Sequence, residues 1–199
     1  MYYSLHGTLA HIEHGMAVIE CGGVGYKCFV SMTTQKSLPQ TGNPVKLFTY
    51  LSVREDALDL FGFSSNSELN CYKLLISVSG IGAKTALAVL SEYTAEKVAL
   101  CIATGDSKAL TKVSGIGMKG AQRIVLELKD KFKGMAIDEG TGEVLDMGVV
   151  SASGNAAEAI TALSMLGYSQ SEAAFAISKL DSSLPVEILI RDCLKSITN

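Results

Sequence analysis

A chain of 199 residues, 48% hydrophobic and 19% charged, has the composition of a globular protein of one to three domains, which excludes a disordered chain. No apolar run approaches the roughly 20 residues of a membrane span, and no basic segment precedes an apolar core at the N-terminus, so a cytoplasmic protein is expected. The five cysteines form no C-x-x-C pair and the net charge is −3, which argues against a metal site and, until charge is followed along the chain, against a nucleic-acid binder.

Residues 1–64, with a net charge of −1, read as strands. Short β-rich runs such as 45–51 are broken by Gly7, Gly15, Gly22, Gly23, Gly42 and Pro44. About five strands in so short a span suggest a small closed barrel of the OB-like Greek-key type. Between the last two strands stands Arg54-Glu55-Asp56-Ala57, which taken alone is an ordinary solvated hairpin tip.

From Ser67 the apolar period turns helical, with Leu69, Tyr72, Leu75 and Ile76 on one face, and helices are expected to about Phe132. Residues 65–134 carry a net charge of +4 between acidic neighbours, so the distribution of charge outweighs its total. This segment holds a repeat. Val78-Ser79-Gly80-Ile81-Gly82-Ala83-Lys84-Thr85-Ala86 recurs as Val113-Ser114-Gly115-Ile116-Gly117-Met118-Lys119-Gly120-Ala121, each matched residue 35 positions on. A constant offset across every shared feature means duplication.

Each copy reads as helix, Gly-Ile-Gly turn, helix: a tandem helix-hairpin-helix. Glycine permits a tight turn with positive φ and close approach of another backbone. Ile81 and Ile116 are expected to pin the turns into apolar space. The amides opening the second helix then point outward at the positive end of its dipole, a ready phosphate site, with Lys84 and Lys119 adding charge. Ala86 and Ala121 allow close helix packing. Contacts of this kind hold phosphates and read no base edges, so binding is expected to be sequence-blind and salt-sensitive.

Two other chemistries fall short. The P-loop pattern requires glycine immediately before its lysine and a preceding strand; Ala83 is there, after a helix. Hairpin-bearing glycosylases need a catalytic acid downstream, but Asp130 lies among helix-end lysines and Asp138 in an expected linker. Residues 135–153, with four acidic and no basic side chains, read as a flexible tether. Residues 154–199 read as three short helices over 156–166, 171–180 and 185–197. Gly167 is expected to cap the first at its C-terminus, Ser169 or Ser171 to open the second and Ser183 the third.

The barrel ending in Arg54-Glu55-Asp56-Ala57 and Leu60-Phe61-Gly62-Phe63, the two hairpins, the acidic tether and the helical tail together resemble the RuvA family over essentially the whole chain. The resemblance implies a multidomain α+β chain: an OB-like barrel (1–64), a tandem helix-hairpin-helix domain (65–134), a flexible linker (135–153) and a UBA-like three-helix domain (154–199). It implies a non-enzymatic homotetramer, one or two face-to-face, on a four-way (Holliday) DNA junction, acting in recombination, repair and the SOS response. The hexameric ATPase RuvB would dock on the C-terminal domain, and the resolvase RuvC would join. No cofactor, metal or catalytic residue is implied.

The backbone-binding set carried over is Ser79, Gly80, Ile81, Gly82, Lys84, Thr85, Ser114, Gly115, Ile116, Gly117, Lys119 and Arg123. Glu55 and Asp56 fall on the family's acidic pin at the crossover, with Arg54 an additional DNA contact beside it. Ser114, Met118 and Gly120 replace the proline, lysine and threonine usual in the family's second hairpin, so Met118 is left out of the set.

Overall fold

The computed structural model describes residues 2–138 and 154–197, in two compact units: Met1–Ser77 with Ile81–Ala95, and Val78–Gly80 with Glu96–Asn199. The first unit opens with five strands, β1 (Ser4–Glu13), β2 (Met16–Cys21), β3 (Val24–Val30), β4 (Pro44–Val53) and β5 (Leu58–Phe63), closed into a barrel in the order β1-β2-β3-β5-β4. The β3–β5 pairing is parallel and the others antiparallel. Alternate side chains point inward, and Leu5, Leu9, Ala17, Ile19, Cys28, Val30, Leu47 and Leu60 fill the interior. Burial, then the nearby Cys21, pushes the Cys28 thiol up to about 12, so it behaves as an inert core group.

A helix absent from the sequence reading, α1 (Met32–Ser37), separates β3 from β4. Its two threonines and single turn give little helical signal; Ser31 caps it, accepting from the Thr34 amide at 2.9 Å. Next come α2 (Asn66–Ile76) and α3 (Ala83–Glu92). The ring of Tyr72 on α2 packs against Tyr50, Phe61 and Phe63 of the barrel, with centroids 5.4, 5.2 and 4.8 Å away. Each such contact contributes about 1 kcal/mol beyond area burial.

Glu68, one turn into α2 and 3% exposed, has no ion-pair partner among the described residues. Its carboxylate accepts instead from the hydroxyls of Ser31, Thr34 and Ser64 and from the Ser64 amide, which satisfies a buried charge that would otherwise be costly. On α1, Met32 N–H donates to Ser91 Oγ at 3.0 Å and Thr33 Oγ1 to the Leu90 carbonyl at 2.6 Å. The first hairpin is thereby fastened to the barrel.

The second unit contains α4 (Ala95–Thr104), α5 (Ser107–Leu110) and α6 (Met118–Asp138), then α7 (Asn155–Met165), α8 (Gln170–Ser178) and α9 (Val186–Ile197). Helix α6 ends at Asp138, four residues into the segment expected as a tether. The remainder of that tether, 139–153, lies outside the described residues.

The last three helices share a core of Ala159, Ala162, Leu163, Leu166, Ala173, Ile177, Leu189 and Cys193. Gly167 follows α7 with φ +95°, as expected of a C-terminal cap. Ser169, not Ser171, opens α8 in a capping box with Glu172. Ser183 does not cap α9; its amide and hydroxyl both donate to Asp181 Oδ1, at 2.9 and 2.7 Å, and Pro185 accepts the first helical bonds. Among the described residues no helix is long and apolar enough to cross a membrane.

Candidate nucleic-acid interface

The two glycine turns repeat each other in three dimensions as they do in sequence. Gly80 has φ +85° and Gly115 φ +87°, the left-handed region where side chains other than glycine's are strained. Val78, Ile81, Val113 and Ile116 are buried, while Ser79, Gly80, Gly82, Ser114, Gly115 and Gly117 are exposed. The isoleucines thus anchor the turns, and the polar backbone faces outward.

Beyond each turn a helix begins at the second glycine. The Ala86 amide donates to the Gly82 carbonyl at 2.9 Å and the Ala121 amide to the Gly117 carbonyl at 3.0 Å. Those are the first bonds of α3 and α6, so the amides one turn earlier (Ala83, Lys84, Thr85; Met118, Lys119, Gly120) have no carbonyl within the helix. No side chain caps the start of α3. Lys84 and Lys119 are exposed beside these amides, and Thr85 is half-buried. Each helix start thus gathers amides with no carbonyl partner inside the helix, about half a positive charge from the helix dipole, and a lysine.

A Cβ built on Gly82 or Gly117 meets no atom within 4 Å. The second glycine of each turn therefore leaves space that the protein does not fill, of the kind that lets a second backbone approach the amides. Ala86 and Ala121 are fully buried, as helix contact requires. Met118 is 48% exposed and supplies no charge.

Arg123 has a partner that its position in the sequence does not announce. Its guanidinium donates to the Ser79 carbonyl at 3.3 Å, and the Ser79 amide donates to Glu127 Oε2, also at 3.3 Å. Arg123 Nε lies 3.9 Å from Glu127 Oε1. Glu127 was missed by the sequence reading; its place four residues after Arg123 signals a helical ion pair, but nothing local connects it to residue 79.

In the first unit, β4 and β5 meet in a tight turn closed by the Arg54 amide donating to the Ala57 carbonyl at 2.9 Å. Glu55 and Asp56 form its exposed tip, and neither has a hydrogen-bond or ion-pair partner among the described residues. Val53 and Leu58, opposite each other in the ladder, are 67% and 71% exposed. Arg54 is paired with Asp59 on β5, another residue the sequence reading did not single out. The turn at Gly80 follows helix α2, so a strand-borne P-loop is absent there. Of the two carboxylates weighed as catalytic acids, Asp130 lies within α6 and Asp138 at its end.

Three protein families match successive parts of the chain: the RuvA N terminal domain over residues 1–62, the SAM-like helix-hairpin-helix tandem over 72–130, and the RuvA C-terminal domain over 154–198. Full-length relatives named Holliday junction branch migration complex subunit RuvA are similar throughout. That of Acetivibrio thermocellus is 42% identical, covering 99% of this chain and 98% of its own. Those of Desulforamulus reducens and Symbiobacterium thermophilum are 45% and 43% identical, covering 97% and 99% of this chain and 96% and 98% of theirs.

Proposed function

This chain belongs to the RuvA family, and on that premise we propose that it binds four-way DNA junctions without reading sequence and holds them open for branch migration in recombination and repair. The observation that carries the reading is the pair of exposed glycine turns with open space over Gly82 and Gly117. Unpartnered amides beside Lys84 and Lys119 suit two phosphates, and the same geometry twice suits a duplex backbone rather than a lone anion. Ser79, Ile81, Thr85, Ser114 and Ile116 shape these turns; Arg123 is 55% exposed and has further donors for a phosphate.

Glu55 and Asp56 act as the acidic pin. Carboxylates facing phosphates repel strands from the crossover and discourage collapse into continuous duplex. Four copies of the chain would match a four-armed junction with four pins at its centre. The three-helix unit after residue 154 is the docking module for the ATP-driven motor RuvB, and the resolvase RuvC works on the same complex. Exchange of base pairs at a junction breaks and makes equal numbers, so the motor supplies direction and this chain shape and coupling. We place the working protein in the bacterial cytoplasm, divided into 1–64, 65–134, 135–153 and 154–199.

The deciding experiment measures binding to a synthetic four-way junction and to linear duplex of equal length at moderate salt, with native mass of the complexes. Much tighter junction binding by a tetramer or a pair of tetramers is expected. Equal affinity for both DNAs overturns the proposal.

A further inference from the structure

We propose that Asp59 is a positioning residue that draws the Arg54 guanidinium off the tip of the acidic turn, leaving Glu55 and Asp56 at full charge. Arg54 directly precedes these two carboxylates in sequence, yet its ion pair is with Asp59, five residues on and across the hairpin. Asp59 stands opposite Ser52 in the β4–β5 ladder, on the strand side of the Val53–Leu58 pair, and its side chain is 24% exposed against 56% for Arg54. The less solvated carboxylate is the stronger competitor for a guanidinium. Arg54 is thereby committed to the base of the hairpin, and both tip carboxylates stay without a partner among the described residues.

Two consequences follow once the tip faces phosphates, a step that rests on the proposed junction-binding function. A free Arg54 beside Glu55 and Asp56 would cancel part of the repulsion that the tip exerts. It would also present its planar donor fork to a phosphate, the ligand it fits best. Asp59 opposes both by engaging one arm of that fork, the Arg54 Nη2 group. The pair is half in solvent and therefore modest, so it acts as a bias and leaves Arg54 able to exchange partners.

The test is a cycle of full-length variants, Asp59→Asn, Arg54→Gln and the two combined, with Asp59→Glu as the conservative control. Junction affinity is measured across a salt series. Asp59→Asn is expected to tighten binding about fivefold and to steepen the log K against log salt slope by about 0.9, one more phosphate contact. Asp59→Glu is expected to keep the parent values. With Arg54→Gln present, adding Asp59→Asn is expected to change neither affinity nor slope. An equal effect of Asp59→Asn in both backgrounds, which is the signature of plain charge removal, overturns the proposal. So does no effect in either. If the parent chain itself shows no preference for the junction, the failure lies with the proposed function and not with Asp59.

Discussion

Arg123 donates to the Ser79 carbonyl at 3.3 Å, while Glu127, one helical turn further on, accepts from the Ser79 amide at the same distance. Both backbone groups of one exposed residue in the first glycine turn are thus held by side chains of α6. The arrangement gives Arg123 a bracing duty beside any phosphate contact, and the two can be separated. Glu127→Ala removes no cation and is expected to weaken junction binding a few-fold with the salt slope unchanged. Arg123→Ala is expected to weaken binding further and to flatten the slope by about 0.9. An unchanged slope for Arg123→Ala would make the residue a brace only.

The two glycines of each turn have different duties. Gly80 and Gly115 sit at φ +85° and +87°, so Gly80→Ala or Gly115→Ala is expected to destabilise the fold by about 1–2 kcal/mol. Gly82 adopts φ −86° and a Cβ there meets nothing, so Gly82→Ala is expected to cost less than about 1 kcal/mol of stability. It is nevertheless expected to weaken DNA binding about tenfold, because the methyl group occupies the approach to charge-assisted amide contacts. Thermal melts and binding curves on the same preparations check both halves. A Gly82→Ala protein that melts early and binds normally contradicts the phosphate reading of the turn.

The Tyr72 hydroxyl is buried without a hydrogen-bond partner among the described residues, in a ring cluster that otherwise fastens α2 to the barrel. Burial, and then Tyr50 and Asp59, raise its ionisation well above the ordinary tyrosine value, so it stays a neutral, unsatisfied group. Tyr72→Phe keeps the ring contacts and is expected to stabilise the protein by about 1 kcal/mol in denaturant titrations. Destabilisation of similar size would mean that the hydroxyl has a partner in the working assembly.

In the C-terminal helices, Glu172 has its ionisation lowered by hydrogen bonds from the Ser169 hydroxyl and amide. A carboxylate whose folded value lies below its unfolded one stabilises the fold above the unfolded value and ceases to do so as pH falls through the folded one. Amide exchange in α8 is therefore expected to separate Ser169→Ala from the parent chain most strongly at neutral pH. The separation should narrow once pH drops below about 4.3, where a free glutamate titrates. A gap independent of pH contradicts the carboxylate's part in the cap.

Much of the candidate interface was legible before any coordinates. The 35-residue offset, the buried isoleucines and the left-handed glycines are all local: each depends on a handful of neighbouring residues whose conformational preferences and polarity are intrinsic. The same holds for the Gly167 cap and for the turn at Glu55 and Asp56. Where local reading failed, distant or competing partners decided. Ser183 turned to Asp181 instead of capping α9. Helix α1 formed because Ser31 and its barrel neighbours hold a segment of weak helical propensity.

Local propensity and a duplicated pattern were enough to specify five strands, two glycine hairpins and three terminal helices, because backbone geometry and hydrophobic period act over a few residues. The parallel pairing of β3 with β5, the capture of Ser79 by Arg123 and Glu127, the hydroxyl cage around Glu68 and the diversion of Arg54 to Asp59 came only with folding. Partner choice among charged and polar groups depends on which residues chain closure brings within about 3 Å and how far water is excluded there, and neither quantity is written in the order of residues along the chain.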